Sequence, residues 1–359
     1  MGREVWNRKL RIMKKIACVV GARPQFIKHF PLEIELAESF EVVTIHTGQH
    51  FDKNMSQVFF EELGIKRPDF HFELSKSSHA GQTAEMLERI EKILIDEEID
   101  LMLVYGDTNS TIAGALAAAK LNIPIIHVEA GLRSYNRDMP EEVNRVLTDH
   151  ISSLMFCSSD TGAINLKKEG IGEGVMVSGD LMKDALFTLK NKVKCPRDYP
   201  FQLATLHRPY NTDDSSRLKG ILTTLNQVED KVIFPIHPRT RKALEKEEFD
   251  FENVPNIEFI DPVGYIEMLS FLKYCQRMIT DSGGVQKEAY WMGKPCITIR
   301  SETEWIETLE GGWNTLVFED LEEILRLPIP DQSKYNHSLY GDGKSAAKIV
   351  DILKESYMQ

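Results

Sequence analysis

Short β-branched runs alternate with amphipathic stretches along almost the whole chain, and this alternation is what most restricts its fold. Six runs in the first half read as strands: 15–20, 41–46, 101–105, 124–128, 153–157 and 174–178. Between them lie expected helices at 25–38, 53–63, 82–97, 109–120, 141–150 and 160–169. In "TAEMLERIEKILIDEE" Met86, Leu87, Ile90, Ile93 and Leu94 recur on one helical face. The second half repeats the grammar with strands at 201–206, 231–236, 257–260, 277–280 and 295–299. Its helices are expected at 215–228, 239–248, 264–274, 283–292, 319–326 and 344–358. Strands that alternate with helices in this way build parallel α/β sheets covered on both faces.

A chain of 359 residues exceeds one ordinary core, so two doubly wound, Rossmann-like domains are expected. The polar stretch 190–200, with two prolines, reads as a linker. The expected division is 13–182 with a returning helix at 344–359, against 183–343; residues 1–12 read as a disordered basic tail. A net charge of −12 argues against a nucleic-acid partner, since phosphate backbones attract basic surfaces. No apolar run approaches the roughly 18–20 residues that span a bilayer, and "IACVV" is short for a signal-peptide core. Trp6 stands where a myristoylation motif needs Ser or Thr. The five scattered cysteines form no CxxC pair and read as reduced residues of a cytoplasmic protein, not as disulfides or a zinc site. Open α/β sheets bind ligands beyond the carboxyl ends of their strands, so a cleft between the two domains is the expected site.

Five strand-to-helix junctions carry residues suited to chemistry. In "GARPQFIK" (21–28), Arg23 and Lys28 would face an anion together with free N–H groups at a helix start; an ordinary surface turn is the alternative. In "YGDTNST", Asp107 is either a positioned carboxylate or the cap of the following helix. In "HVEAGLRSYNRDMPEEVNR", Glu129 ends a strand, where it is either functional or paired with Arg133. Glu141 and Glu142 also suit a helix's first turn. His207 and Arg208, with His237, Arg239 and Arg241, follow two strands of the second half as acid–base groups, phosphate contacts or plain loop residues. The strongest signal is "MITDSGGVQKEA", where Ser282, Gly283 and Gly284 can cradle a diphosphate and Glu288 can accept from a ribose.

Taken together, "GARPQFIK", "TGQH", "GDTNST", "HVEAGLRS", "MPEEVNR", "HR" and "TDSGGVQKEA" resemble the non-hydrolysing UDP-N-acetylglucosamine 2-epimerase family, in the same order from about residue 14 to 318. The resemblance implies a GT-B architecture of two Rossmann-like domains, the C-terminal helix crossing back to the first. It implies interconversion of UDP-N-acetylglucosamine and UDP-N-acetylmannosamine, cytoplasmic and feeding cell-surface polysaccharide precursors. The C2 hydrogen is not acidic, and the chain lacks a dinucleotide fingerprint. The family eliminates UDP to a 2-acetamidoglucal and adds it back, with no metal or other cofactor, commonly as a homodimer. Position by position, Asp107, Glu129, Glu141 and His207 match its catalytic residues. Arg23, Lys28, His237, Ser282, Gly283, Gly284 and Glu288 fall with its UDP-binding residues, and Gln49, His50 and Arg208 near a second, allosteric substrate site.

The chain also departs from that pattern. Its "SYNRDMPEE" loop is short, "HRPYNTD" and "SETEWIETLEGGWN" replace the usual runs, and Met268 stands where some members stack an aromatic near uracil. These departures leave open a UDP-2,3-diacetamido uronic acid as substrate. A hydrolysing 2-epimerase, a glycosyltransferase of the same fold and a non-catalytic nucleotide-sugar sensor are the other readings. The Gln of "TGQH" and the full carboxylate set favour the non-hydrolysing enzyme.

Overall fold

The computed structural model describes residues 13–49, 64–327 and 330–358. The expected tail 1–12, the helix expected at 53–63 and His50 lie outside these residues. The chain divides into two compact units, Met1–Ala185 with Tyr340–Gln359, and Leu186–Leu339.

The first unit runs β1 (Lys15–Val20), α1 (Arg23–Leu36), β2 (Glu41–His46), β3 (Phe70–His71), α2 (His79–Asp96), β4 (Leu101–Tyr105) and α3 (Asn109–Lys120). It continues through β5 (Ile125–Val128), α4 (Pro140–Ile151), β6 (Leu154–Cys157), α5 (Asp160–Lys168) and β7 (Val175–Val177), and the chain division falls within the next helix, α6 (Leu181–Leu189). Its seven strands are all parallel, in the order β3-β2-β1-β4-β5-β6-β7. The chain order reverses between β1 and β4, so the turns that follow these two strands open side by side at the carboxyl edge. Continuous apolar strands such as β4, buried at all five positions, are what a sheet covered on both faces requires. The Ala-rich α3 lets its backbone approach the sheet closely, and Gly21 is part of the same packing. A Cβ added there would lie 2.1 Å from Ser110 Oγ on α3.

The second unit contains β8 (Phe201–Thr205), α7 (Pro209–Thr212), α8 (Ser215–Leu225), β9 (Lys231–Pro235), α9 (Pro238–Lys246), β10 (Ile257–Ile260) and α10 (Tyr265–Tyr274). It ends with β11 (Met278–Thr280), α11 (Gly283–Trp291), β12 (Cys296–Thr298), β13 (Asn314–Leu316) and α12 (Glu323–Arg326). Its six parallel strands follow the order β10-β9-β8-β11-β12-β13, so β8 and β11 flank its reversal point. The helix expected over 319–326 shrinks to Glu323–Arg326. The last helix, α13 (Ser345–Tyr357), returns to the first unit and packs beside α1. Among the described residues, no helix is long and apolar enough to cross a membrane.

Candidate active site

In the first unit the candidate residues gather after β1, β4 and β5. Asp107 follows β4, and its carboxylate pairs with Arg145 of α4. Its main-chain carbonyl accepts from Asn144 Nδ2 at 3.0 Å. It does not cap α3, because Thr108 takes that place and accepts from Thr111 N. The capping alternative is therefore set aside.

Glu129 follows β5 and adopts φ +68°, a left-handed conformation that costs a non-glycine residue about 1–3 kcal/mol. Its flanks hold it there. Glu129 N and Ala130 N both donate to Phe156 O, at 3.0 and 3.1 Å. Its carboxylate pairs with Lys28 of α1, not with Arg133 as one reading of the sequence had it. Arg133 turns away to Asp149 and, through two parallel bonds of 2.7 Å, to Glu169. The helix-start cradle expected in "GARPQFIK" is also altered. Gln25 Oε1 accepts from Gly21 N and Ala22 N at 2.7 and 3.1 Å, so these two groups are not open to an anion. Positive charge at this turn comes from Lys28 and the half-buried Arg23.

Glu141 and Glu142 separate sharply. Glu141 is exposed on the first turn of α4, whereas Glu142 is buried. Glu142 accepts from Ser134 N and Tyr135 N at 2.9 and 3.0 Å and pairs with Arg145. Burial opposes its charge, but these N–H donors and Arg145 outweigh it and hold the carboxyl below its usual range. Gln49 is tied to the start of α3, where its Oε1 accepts from Ser110 N at 2.9 Å and Ser110 Oγ at 2.7 Å.

In the second unit the turns after β8 and β11 are joined by Asp281, which is wholly buried. It accepts from His207 N at 3.1 Å, Arg208 N at 2.9 Å and Asn211 Nδ2 at 3.1 Å. His207 Nδ1 lies 3.3 Å from the same carboxylate, and the His207 ring sits 5.4 Å from that of His237. His237 Nδ1 accepts from Arg239 N and caps α9. Ser282 starts α11 without a side-chain capping bond. Gly283 and Gly284 follow, and Arg300, paired at 3.0 Å with Glu304, stands beside Gly283. Glu288 is buried one turn further on and accepts from Tyr265 Oη at 2.7 Å.

A model of the UDP-N-acetylglucosamine 2-epimerase family matches residues 32–354 of this chain. The chain belongs to this family. A UDP-N-acetylglucosamine 2-epimerase homolog of Methanococcus maripaludis is 48% identical, over 95% of this chain and 99% of the relative. The UDP-2,3-diacetamido-2,3-dideoxy-D-glucuronate 2-epimerase of Pseudomonas aeruginosa is 43% identical, over 94% and 99%. The Methanocaldococcus jannaschii UDP-GlcNAc 2-epimerase, solved in complex with UDP-GlcNAc and UDP, superposes with a TM-score of 0.83 at 38% identity, covering 95% and 99%. For an epimerase-family chain, the residues behind the site that the sequence reading passed over are Arg145, Asp149 and Asp281, while Glu142 was read only as a first-turn residue of α4. The signal for Asp281 was present in "ITDSGG", a carboxylate closing a buried strand. That for Glu142, Arg145 and Asp149 is their i, i+3, i+7 spacing, which puts three charges on one helical stripe.

Proposed function

We propose that this chain is a UDP-N-acetylglucosamine 2-epimerase, which eliminates UDP to a 2-acetamidoglucal and adds it back with inversion at C2. Asp107 and Glu129 divide the work of base and acid, with Glu141 and His207 assisting. Arg23 and Lys28 offset charge on the departing and returning diphosphate. Ser282, Gly283, Gly284 and Glu288 hold UDP, with His237. Gln49, His50 and Arg208 belong to a second substrate site that tunes the rate.

The observation that carries this reading is the placement of Asp107 and Glu129 at the carboxyl ends of the adjacent strands β4 and β5, each beside its own cation. The reading includes a homodimer, supported by the apolar edge that Val143 and Leu147 leave exposed on α4. It also includes a cytoplasmic location, supported by four cysteines buried away from any oxidant.

Proton NMR in heavy water tests the chemistry. The purified protein is expected to exchange solvent deuterium into C2 of UDP-N-acetylglucosamine without added NAD or metal. No exchange on any N-acetylated UDP-sugar would defeat the proposal, and accumulating free sugar would mark a hydrolase. The 43% identity to the diacetamido-glucuronate epimerase favours one second reading, the same chemistry on that uronic acid nucleotide. Faster exchange on it in the same panel would select it.

A further inference from the structure

Behind the acid–base pair, α4 buries charges that the proposed reaction does not itself use. Asp149 and His127 are fully buried, and Arg133 nearly so. His127 lies on β5 two residues before Glu129, with Nδ1 2.7 Å from Asp149 Oδ1 and Nε2 2.8 Å from Gly106 O. Asp149 Oδ2 accepts from Gly131 N at 3.2 Å and from Arg133 Nη1 at 2.7 Å.

Each ring nitrogen of His127 thus faces an oxygen, and the carbonyl of Gly106 can only accept. A neutral imidazole has one donor and one acceptor nitrogen, so one of the two contacts would oppose lone pair to lone pair in a buried place. The exception would be a protonated Asp149. Against that stands Asp149 Oδ2, which accepts from the Arg133 guanidinium at 2.7 Å and from Gly131 N at 3.2 Å, partners that call for a carboxylate. The charged groups around the ring are Asp149 from α4 and, behind it, Arg133, which Glu169 balances at the rim. Cys157 of β6 is pushed up to about 12 by burial and the nearby Asp149, so it adds no charge.

We propose that His127 and Asp149 form a buried imidazolium–carboxylate pair that positions the two turns bearing Asp107 and Glu129. The Gly106 carbonyl belongs to the peptide whose N–H is that of Asp107, so the His127 bond sets the plane from which Asp107 departs. Through Gly131 N, the same Asp149 anchors the turn two residues beyond Glu129. A single carboxylate therefore holds both turns in register, and the pair acts through them without touching substrate. This inference rests on the acid–base reading of Asp107 and Glu129.

Long-range proton–nitrogen NMR of protein labelled at its ten histidines tests it. The wild type at pH 7 is expected to show a ring with both nitrogens protonated, and His127→Gln to remove that signal. Asp149→Asn is expected to cut kcat ten-fold or more, with KM and UDP affinity within about three-fold. A His127 ring carrying one proton at pH 7 would overturn the pair. Unchanged kcat in a folded Asp149→Asn would overturn the positioning role. If that variant does not fold, His127→Gln, which keeps a donor for Gly106 O, replaces it with the same expected split. The spectrum needs no substrate, so a protein that shows the ring signal yet exchanges no C2 hydrogen refutes the acid–base reading instead.

Discussion

Asp107 is fixed from three directions: through the Gly106 carbonyl before it, through its own carbonyl, and through its carboxylate to Arg145. Thr108 rather than Asp107 caps the helix behind, so the side-chain charge can be removed without unpicking α3. Asp107→Asn is expected to lower the C2 exchange rate by roughly 10²–10⁴, the range for a general acid or base. UDP affinity by titration calorimetry should stay within a few-fold. Loss of UDP binding in step with activity would instead mark Asp107 as structural. The strand-end carboxylates were legible because a charge closing an apolar run stands out. Their partners were not, because Lys28 and Arg145 come from other elements and meet them only once the sheet order is known. The Arg133–Glu129 pairing failed for the same reason: four residues of separation suggest a contact on a helix, but here they span a turn.

Strand β2 ends in His46, and there one proton governs a whole turn. His46 Nδ1 accepts from Gly48 N at 2.8 Å, which requires that nitrogen to be unprotonated. Burial, with His71 beside it, pushes His46 down to about 4. Unfolded, the ring titrates near 6.5, so between these values the unfolded chain binds more protons and stability falls as pH falls. From pH 7 to 5 this group should cost roughly 2 kcal/mol, at 1.36 kcal/mol per unit. His46→Asn keeps an acceptor without a titration. Urea melts at the two pH values should therefore show the wild type losing more stability than the variant, by about that amount, and parallel losses would refute the assignment. Elements of this kind were read most readily where four or more apolar residues run together, as in β1, β4 and β6. The edge strands β3 and β13, of two and three residues, carry no period to detect. Helix α6, "LMKDALFTL", was missed even though Ser178, Gly179 and Asp180 mark a turn between it and the preceding strand. Helix α4 inverts the usual pattern, burying Glu142 and Asp149 while Val143 and Leu147 stay exposed.

For the whole molecule, chain order and spatial order disagree at one place. Helix α13 is last in the sequence but belongs to the first unit, where Ile349, Val350 and Leu353 are buried to within 2%. Ala346 N donates to Asp184 Oδ2 at 2.8 Å, and Lys14 lies over the Tyr357 ring. Three such side chains contribute about 1.5–3 kcal/mol each, together comparable to the roughly 5–15 kcal/mol by which a domain is stable. The second unit has its own cores, around Leu222, Phe234 and Ile297 on one face of its sheet and Leu203, Phe271 and Met278 on another. Deleting residues 345–359 should therefore unfold the first unit and leave the second standing. Tryptophan separates the two outcomes, since Trp291, Trp305 and Trp313 are buried in the second unit. The truncated chain is expected to keep a cooperative tryptophan-fluorescence transition while amides of β1 and β4 exchange rapidly with heavy water. Protected amides in those strands would show that the first unit closes without its last helix, and a lost fluorescence transition would show that the second unit depends on the first.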